Sequence, residues 1–462
     1  MNDIRPFRGL RFDEAKTGPL GDVVCPPYDV ISAEEQVRLH GRSIHNAVRL
    51  ELGFEFAGDD AANNRYVRAA DTLDRWLAGG VLRMEREPAL YLYEQRFSHD
   101  GKVLVRRGVL AALRLSTWEE GVVLPHEETM PKPKADRLQL MRATACNFSP
   151  LFLLFDDPSG TAPQLMAEVA ARPPDATADP GDGQVHRLWV VRDAKLRQLA
   201  AALQTPQLYM ADGHHRYETA LAYRDERRKE DLTLLAPFAS GEGGEKSHLS
   251  PRGRGLGVGP LKDAAYNYAL VLLVEARDPG LVVLPTHRLV NGIDPEVLAA
   301  MDDGLSRSFD VETVDIAGLD AIGAAEVLLR RVGESGRERP SLGLYRAAPS
   351  GARVLKLRGP VRESGTGPRP LLDVDVLHDL LMAPLLGIGP EQLETGANVS
   401  YTRDAADAVA AVDRGVAQVA FLLNPTRVEQ VLETARANGK MPQKSTYFYP
   451  KAITGLVFHR LD

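Results

Sequence analysis

The stretch 207–220 constrains the fold more than any other part of the chain. Leu208 to Met210 are apolar or aromatic and predict the end of a short buried strand. From Tyr217 the residues Glu218, Ala220, Leu221 and Ala222 favour a helix, and Tyr217 and Leu221, four apart, can share one apolar stripe. Between strand and helix stand Asp212, Gly213, His214, His215 and Arg216. Gly213 permits the sharp reversal that a bulky residue would resist. A helix that starts there offers backbone N–H groups and a positive dipole end. With His214, His215 and Arg216 alongside, the turn is a candidate phosphate seat, and Asp212 adds a metal ligand or general base. A plainer role is also open, because Asp-Gly is common turn chemistry and Asp212 could simply cap the helix.

A chain of 462 residues is too long for one small core, so two or three domains are expected. Runs of strand alternating with short helices predict a mixed α/β fold. The segment 240–260 is rich in Gly, Ser, Glu, Lys and Arg and reads as a flexible insert. It sets the expected boundaries: an N-terminal α/β domain over 1–239, the insert over 240–264 and a second α/β domain over 265–462. A net charge of −7 argues against a broad nucleic-acid surface. Two cysteines, Cys25 and Cys146, make no disulfide framework and suggest a reducing cytoplasm. No signal-type segment and no run long enough to span a bilayer stands out, so neither secretion nor membrane insertion is expected. A homodimer is left open.

Further polar clusters lie far apart in sequence. Pro26 and Pro27 hold 22–31 extended and present Tyr28 and Asp29 just before a helix; Asp29 could equally serve the turn. Arg49 could reach an anion or pair with Glu51. His126 and Glu127 could supply acid–base groups ahead of a helix predicted from Lys134, on which Lys134 and Arg137 neighbour each other across a turn. Two cations early in a helix oppose its dipole, which favours a bound anion or close acidic partners; a solvated charged face is the alternative. Thr286, His287 and Arg288 end a later strand, Asn424-Pro425-Thr426 ends another, and Lys444 lies in a final polar-aromatic cluster over 441–451.

Four of these segments, Asp212 to Ala220, Pro27 to Ile31, Leu284 to Arg288 and Met441 to Thr446, resemble the DUF1015 family of bacterial and archaeal proteins over nearly the whole chain. A shorter resemblance covers the turn alone. Asp212 to Arg216 is similar to the phosphate-binding turn of the ParB/sulfiredoxin-like superfamily, in particular its free L-serine kinases, which make O-phosphoserine from a nucleotide. That resemblance implies a ParB/sulfiredoxin-like N-terminal part in which Asp212, His214, His215 and Arg216 handle nucleotide phosphates.

Phosphoryl transfer needs clamped phosphates, a placed Mg²⁺, an oriented hydroxyl and an acceptor for its proton. Gly213, His215 and Arg216 would clamp the phosphates of ATP or ADP, and Arg216 can do so bidentately. Asp212 would hold Mg²⁺ and, with His214, act in catalysis. Asp29 or Glu127 would be the base, and Arg49, Lys134, Arg137, His287 and Lys444 are candidates for the acceptor molecule. The expected function is therefore a nucleotide-dependent phosphotransferase acting on a small hydroxyl metabolite, with free L-serine as leading acceptor. The alternatives are a metal-dependent hydrolase built on Asp212, His214 and His215, or a non-catalytic nucleotide-binding scaffold.

Overall fold

The computed structural model describes residues 1–127, 131–239, 263–347, 351–359 and 370–462. The expected insert at 240–260 lies outside them. The fold is mixed α/β, as expected, and the chain divides into two compact units. The first comprises residues 1–124, 129–281 and 450–462; the second comprises 125–128 and 282–449. The sequence reading assigned 265–281 and 450–462 to the later part of the molecule. Their pairing places them in the first unit instead.

The first unit is built on a nine-stranded sheet. Its strands are β1 (Ile4–Arg5), β2 (Leu90–His99), β3 (Lys102–Arg114), β4 (Val123–Leu124), β5 (Leu151–Phe155), β6 (Ala176–Ala178), β7 (Val185–Val191), β8 (Leu208–Asp212) and β9 (Tyr268–Glu275). They run β4-β8-β5-β9-β3-β2-β7-β6, with β1 also on β3. Strand β9 is apolar from Tyr268 to Val274 and buried throughout, because neighbours flank it on both sides. β2 and β3 form a hairpin. Its turn, Asp100-Gly101, has φ +48° and +71°, the positive pair that a two-residue type I′ turn requires.

Helices cover the sheet where the spacing of apolar residues predicts them. α1 (Ala33–Arg42) starts at Ser32, whose side chain accepts from Glu35 N. α2 (Arg65–Ala78) is capped by Asn64 and buries Ala69, Leu73 and Trp76 on one face. α3 (Pro131–Thr144) begins three residues before the predicted Lys134, since a proline at the first helical position forgoes only an N–H that has no intrahelical partner. α4 (His214–Ala239) follows β8 directly. Residues 28–30 form a 3₁₀ turn rather than extended chain, because Pro27 restrains the residue before it and leaves those after it free to coil. No helix among the described residues is long and apolar enough to cross a membrane.

The second unit carries a six-stranded, wholly antiparallel sheet. After a short strand β10 (Val282–Leu284) come β11 (His287–Val290), β12 (Phe309–Val314), β13 (Ser341–Arg346), β14 (Gly351–Leu357), β15 (Val399–Thr402) and β16 (Val419–Leu423), in the spatial order β12-β14-β13-β16-β11-β15. Helices α5 (Ala321–Gly336) and α6 (Ala405–Asp413) bury Leu328, Val332, Ala408 and Val412 against Val354, Ala420 and Leu422. Residues Asp373–Leu377 are α-helical and continue as one π turn, His378–Met382. The ribbon that opens the unit also closes it, since β10 pairs with β17 (Tyr447–Tyr449), Val282 opposite Tyr449.

Candidate functional site

The predicted turn sits at a strand-to-helix junction. Leu208 and Met210 point into the core of the first unit, and strict alternation would send Asp212 after them. A register shift against β5 lies between Met210 and Asp212, so that Asp212 faces Phe152. Such a bulge re-aims the residue that follows it. Gly213 then takes φ +100°, and a Cβ there would lie 3.0 Å from Leu151 and 3.1 Å from Arg216 Nη2. Glycine is therefore required both by the backbone angle and by the return path of Arg216.

Arg216, one helical turn on, folds back to give Nη2 to Asp212 Oδ2 at 2.7 Å and Nη1 to the Pro150 carbonyl at 2.7 Å. Lys451 Nζ donates to the other carboxylate oxygen, Asp212 Oδ1. The side chains of Asp212, Arg216 and Lys451 are only 17, 11 and 10% exposed. Burial pulls the Arg216 pKa down, but the charges of Asp212, Asp29, Tyr28 and Glu51 outweigh it and leave the guanidinium raised. Asp29, exposed on the 3₁₀ turn, is among the charges that raise it.

A third cation stands behind Asp212. Arg106 of β3 is buried over the Phe152 ring at 4.8 Å, and burial lowers its pKa to about 10 against the opposing charges of Tyr93, Asp278 and Asp212. It donates to Gln95 Oε1 and to the Pro450 carbonyl. Gln95 Nε2 holds the Lys451 carbonyl at 3.0 Å, and Ile453 N reaches Tyr93 Oη at 3.3 Å. Three residues of the β2–β3 hairpin thus fix the backbone that presents Lys451. Sequence reasoning left Lys451 among the last polar cluster and missed Arg106. The signal was present: a two-residue turn at Asp100-Gly101 puts Gln95 opposite Arg106.

The remaining candidates divide between the units. Arg137 is 6% exposed and tied to the Glu51 carbonyl at 2.9 Å and to Asp136 at 2.6 Å, with its guanidinium 4.1 Å above the Tyr28 ring. Burial, aided by Asp29 and Glu51 and opposed by Arg216 and Arg137, pushes the Tyr28 phenol up to about 12. Lys134 pairs with Glu218 of α4 at 2.8 Å. The cations of early α3 therefore have acidic partners, one of the two conditions set by the dipole. Arg49 forms no ion pair with Glu51; it donates to the carbonyls of His40 and Ser43 at the end of α1, where the dipole favours a cation. A small cavity of about 40 Å³ is bordered by Glu51, Arg137, Ser149 and Arg216.

Glu127, His287 and Lys444 belong to the second unit. Thr446 Oγ1 donates to Glu127 Oε1 at 3.4 Å. His287 is 1% exposed, its Nδ1 accepts from Leu423 N at 3.2 Å, and burial, with the Arg288 charge, lowers its pKa to about 4. Its ring is therefore buried, with Nδ1 already occupied by a backbone N–H. Lys444 is exposed at φ +60°, and its carbonyl accepts from Arg288 at 3.2 Å.

The metal role foreseen for Asp212 fits poorly, because both its oxygens face cations, which oppose a divalent ion. Among the described residues no group of three or more His, Cys, Asp or Glu is placed to hold a metal.

Three solved structures illustrate what the chain is similar to. A conserved hypothetical protein from Pyrococcus furiosus is 12% identical, with 76% of this chain and 95% of that one covered and a TM-score of 0.34. A free serine kinase in complex with AMP is 12% identical, with 74% and 86% covered and a TM-score of 0.35. SbnI with C-terminal truncation from Staphylococcus aureus is 10% identical, with 75% and 86% covered and a TM-score of 0.33. No curated protein sequence matches the chain. The family described as "Protein of unknown function (DUF1015)" matches residues 4–375, turn included, and the chain belongs to that family.

Proposed function

We propose that the first unit transfers a phosphoryl group from ATP or ADP to a small hydroxyl metabolite, with free L-serine as the leading acceptor. One observation carries the reading. A half-buried Asp212 is bracketed by Arg216 and Lys451 at the start of a long helix, next to Gly213, in the turn that resembles the superfamily's phosphate seat. The dipole end and the two cations favour a polyanion. In this reading Gly213, His215 and Arg216 seat the terminal phosphates, while Asp212 positions Arg216 and Lys451. His214 is 5% exposed and supports the turn. Mg²⁺ would accompany the nucleotide, and no step is assigned to a resident metal.

Asp29 is the candidate base, since it is exposed and acts on the same guanidinium. The acceptor oxygen attacks the terminal phosphorus, a new O–P bond forms, and the bond to the departing ADP or AMP breaks. The hydroxyl proton passes to Asp29. Glu127, His287 and Lys444 have no part in this scheme.

The test is a screen of the purified chain with ATP or ADP and Mg²⁺ against amino acids, read by phosphorus NMR and mass spectrometry. A phosphate ester of serine, or of another small alcohol, supports the proposal. Nucleotide binding without any phosphorylated product would instead identify the scaffold alternative. Consumption of nucleotide with water as sole acceptor would identify a hydrolase.

A further inference from the structure

The second unit holds its own cavity, of about 290 Å³, several times the one beside the turn. It draws on two of the sequence segments that the phosphotransfer scheme leaves unused. Thr286 and Arg288 come from the first, Ser445 from the second, and Asn424 and Thr426 from the strand end after β16. Separated widely in sequence, they line one space.

The charge balance of that space is uneven. Arg288 is 1% exposed, and its guanidinium donates only to backbone carbonyls, of Thr286, Gln443 and Lys444. Its Nε is buried and makes no hydrogen bond, and no carboxylate pairs with it among the described residues. Burial lowers its pKa to about 10. A buried charge without a counter-charge is costly, and a bound anion would offset the cost. Arg337, Arg339 and Arg427 also border the cavity, exposed and without an ion pair among the described residues. Two acids line it. Glu338 is already paired with Lys356 at 2.5 Å. Asp373 is held by Asn424 at 2.8 Å, and burial raises its pKa to about 6.

We infer that the second unit is a binding module for a small phosphorylated molecule, whose phosphoryl oxygens are taken by Arg288 from within and by Arg339 and Arg427 at the rim. Guanidiniums suit this because each presents paired N–H groups to two phosphate oxygens. The volume lies near the lower end of small-ligand pockets, which limits the guest to a phosphate or a compact phosphate ester.

The inference is independent of the turn in the first unit, and its test must be too. Titration calorimetry on the full-length Arg216→Ala protein weakens the phosphate seat proposed there, and the response to Arg339→Ala and Arg427→Ala then assigns a remaining site to the second unit. Inorganic phosphate and glycerol 3-phosphate are the probes. Saturable binding that weakens at least tenfold in Arg427→Ala or Arg339→Ala supports the inference. Both side chains are exposed, and an unchanged melting curve will show that the fold survives. Tighter binding of the ester than of phosphate makes an ester the guest; equal binding makes it phosphate itself. Absence of saturation by either probe below roughly 10 mM overturns the inference. So does binding that the Arg339→Ala, Arg427→Ala double variant leaves intact.

Discussion

At the residue scale, Arg216 carries most of the proposed chemistry. If it holds the transferred phosphoryl group, Arg216→Ala should lower kcat by about 100-fold or more with a smaller change in KM, because the charge it meets is greatest in the transition state. Steady-state kinetics on the identified acceptor will check this, and equal effects on both constants would assign Arg216 to ground-state binding. Arg106 is different in kind. Arg106→Ala strands the Gln95 amide oxygen and the Pro450 carbonyl, and should cost roughly 1–3 kcal/mol in denaturant unfolding. The buried histidines give a pH signature. Burial lowers His186 to about 3, and His287 and His459 to about 4, the latter two from an unfolded value near 6.5 that they share with His186. Each stays neutral in the fold but gains a proton readily when unfolded. Their contribution to stability is therefore full above about pH 6.5 and lost as pH falls towards 4. Chemical denaturation between pH 7 and 4 should show stability decreasing steadily, and His287→Gln should flatten part of the slope. Asp212, Gly213 and Arg216 could be singled out in the sequence because four titratable residues, Asp212, His214, His215 and Arg216, crowd around one glycine. Arg49, Arg137 and His287 could not be sorted the same way, since a buried arginine serving carbonyls and one awaiting an anion have the same letter.

At the element scale, the site depends on how β8 becomes α4. Gly213→Ala adds a Cβ at an unfavourable φ and against Arg216, so it should destabilise the first unit by roughly 1–2 kcal/mol. It should also reduce activity, because it displaces Arg216; thermal melts together with kinetics will separate the two effects. The existence of these elements was legible: apolar runs mark β5, β8 and β9, and Gly79 with Gly80 marks the end of α2, although its cap, Asn64, stands one residue past the start at Asn63 that the pattern suggests. The bulge after Met210 was not, because the same letters fit an unbroken alternation, and only pairing with β5 shows which residue is extra. The register of the β2–β3 hairpin followed from its turn, and with it the meeting of Gln95 and Arg106, but a strand arginine gives no sign of what lies on its far side.

At the scale of the whole molecule, sequence order and spatial order part company. Composition marked 240–264 as the boundary, whereas pairing carries the first unit on through β9 and then resumes it at Pro450. Thirteen C-terminal residues complete that unit through Lys451 on Asp212, the Cys25–Thr454 bridge and the Leu10–Phe458 bridge. Deleting 450–462 should therefore abolish activity and loosen the first unit, seen as faster amide exchange in β2 and β3, while the sheet of the second unit keeps its protection. The same feature imposes an order in time. A chain emerging from the ribosome presents Asp212 and Arg216 long before Lys451, and the whole of 282–449 is synthesised in between. Because Val282 and Tyr449 end up side by side, folding of the second unit draws together the two ends of the first and shortens the loop that must close. Lys451, the last cation of the site, is thus added only after all of 282–449 has been synthesised, and a nascent chain stalled between residues 216 and 451 carries the turn without this cation.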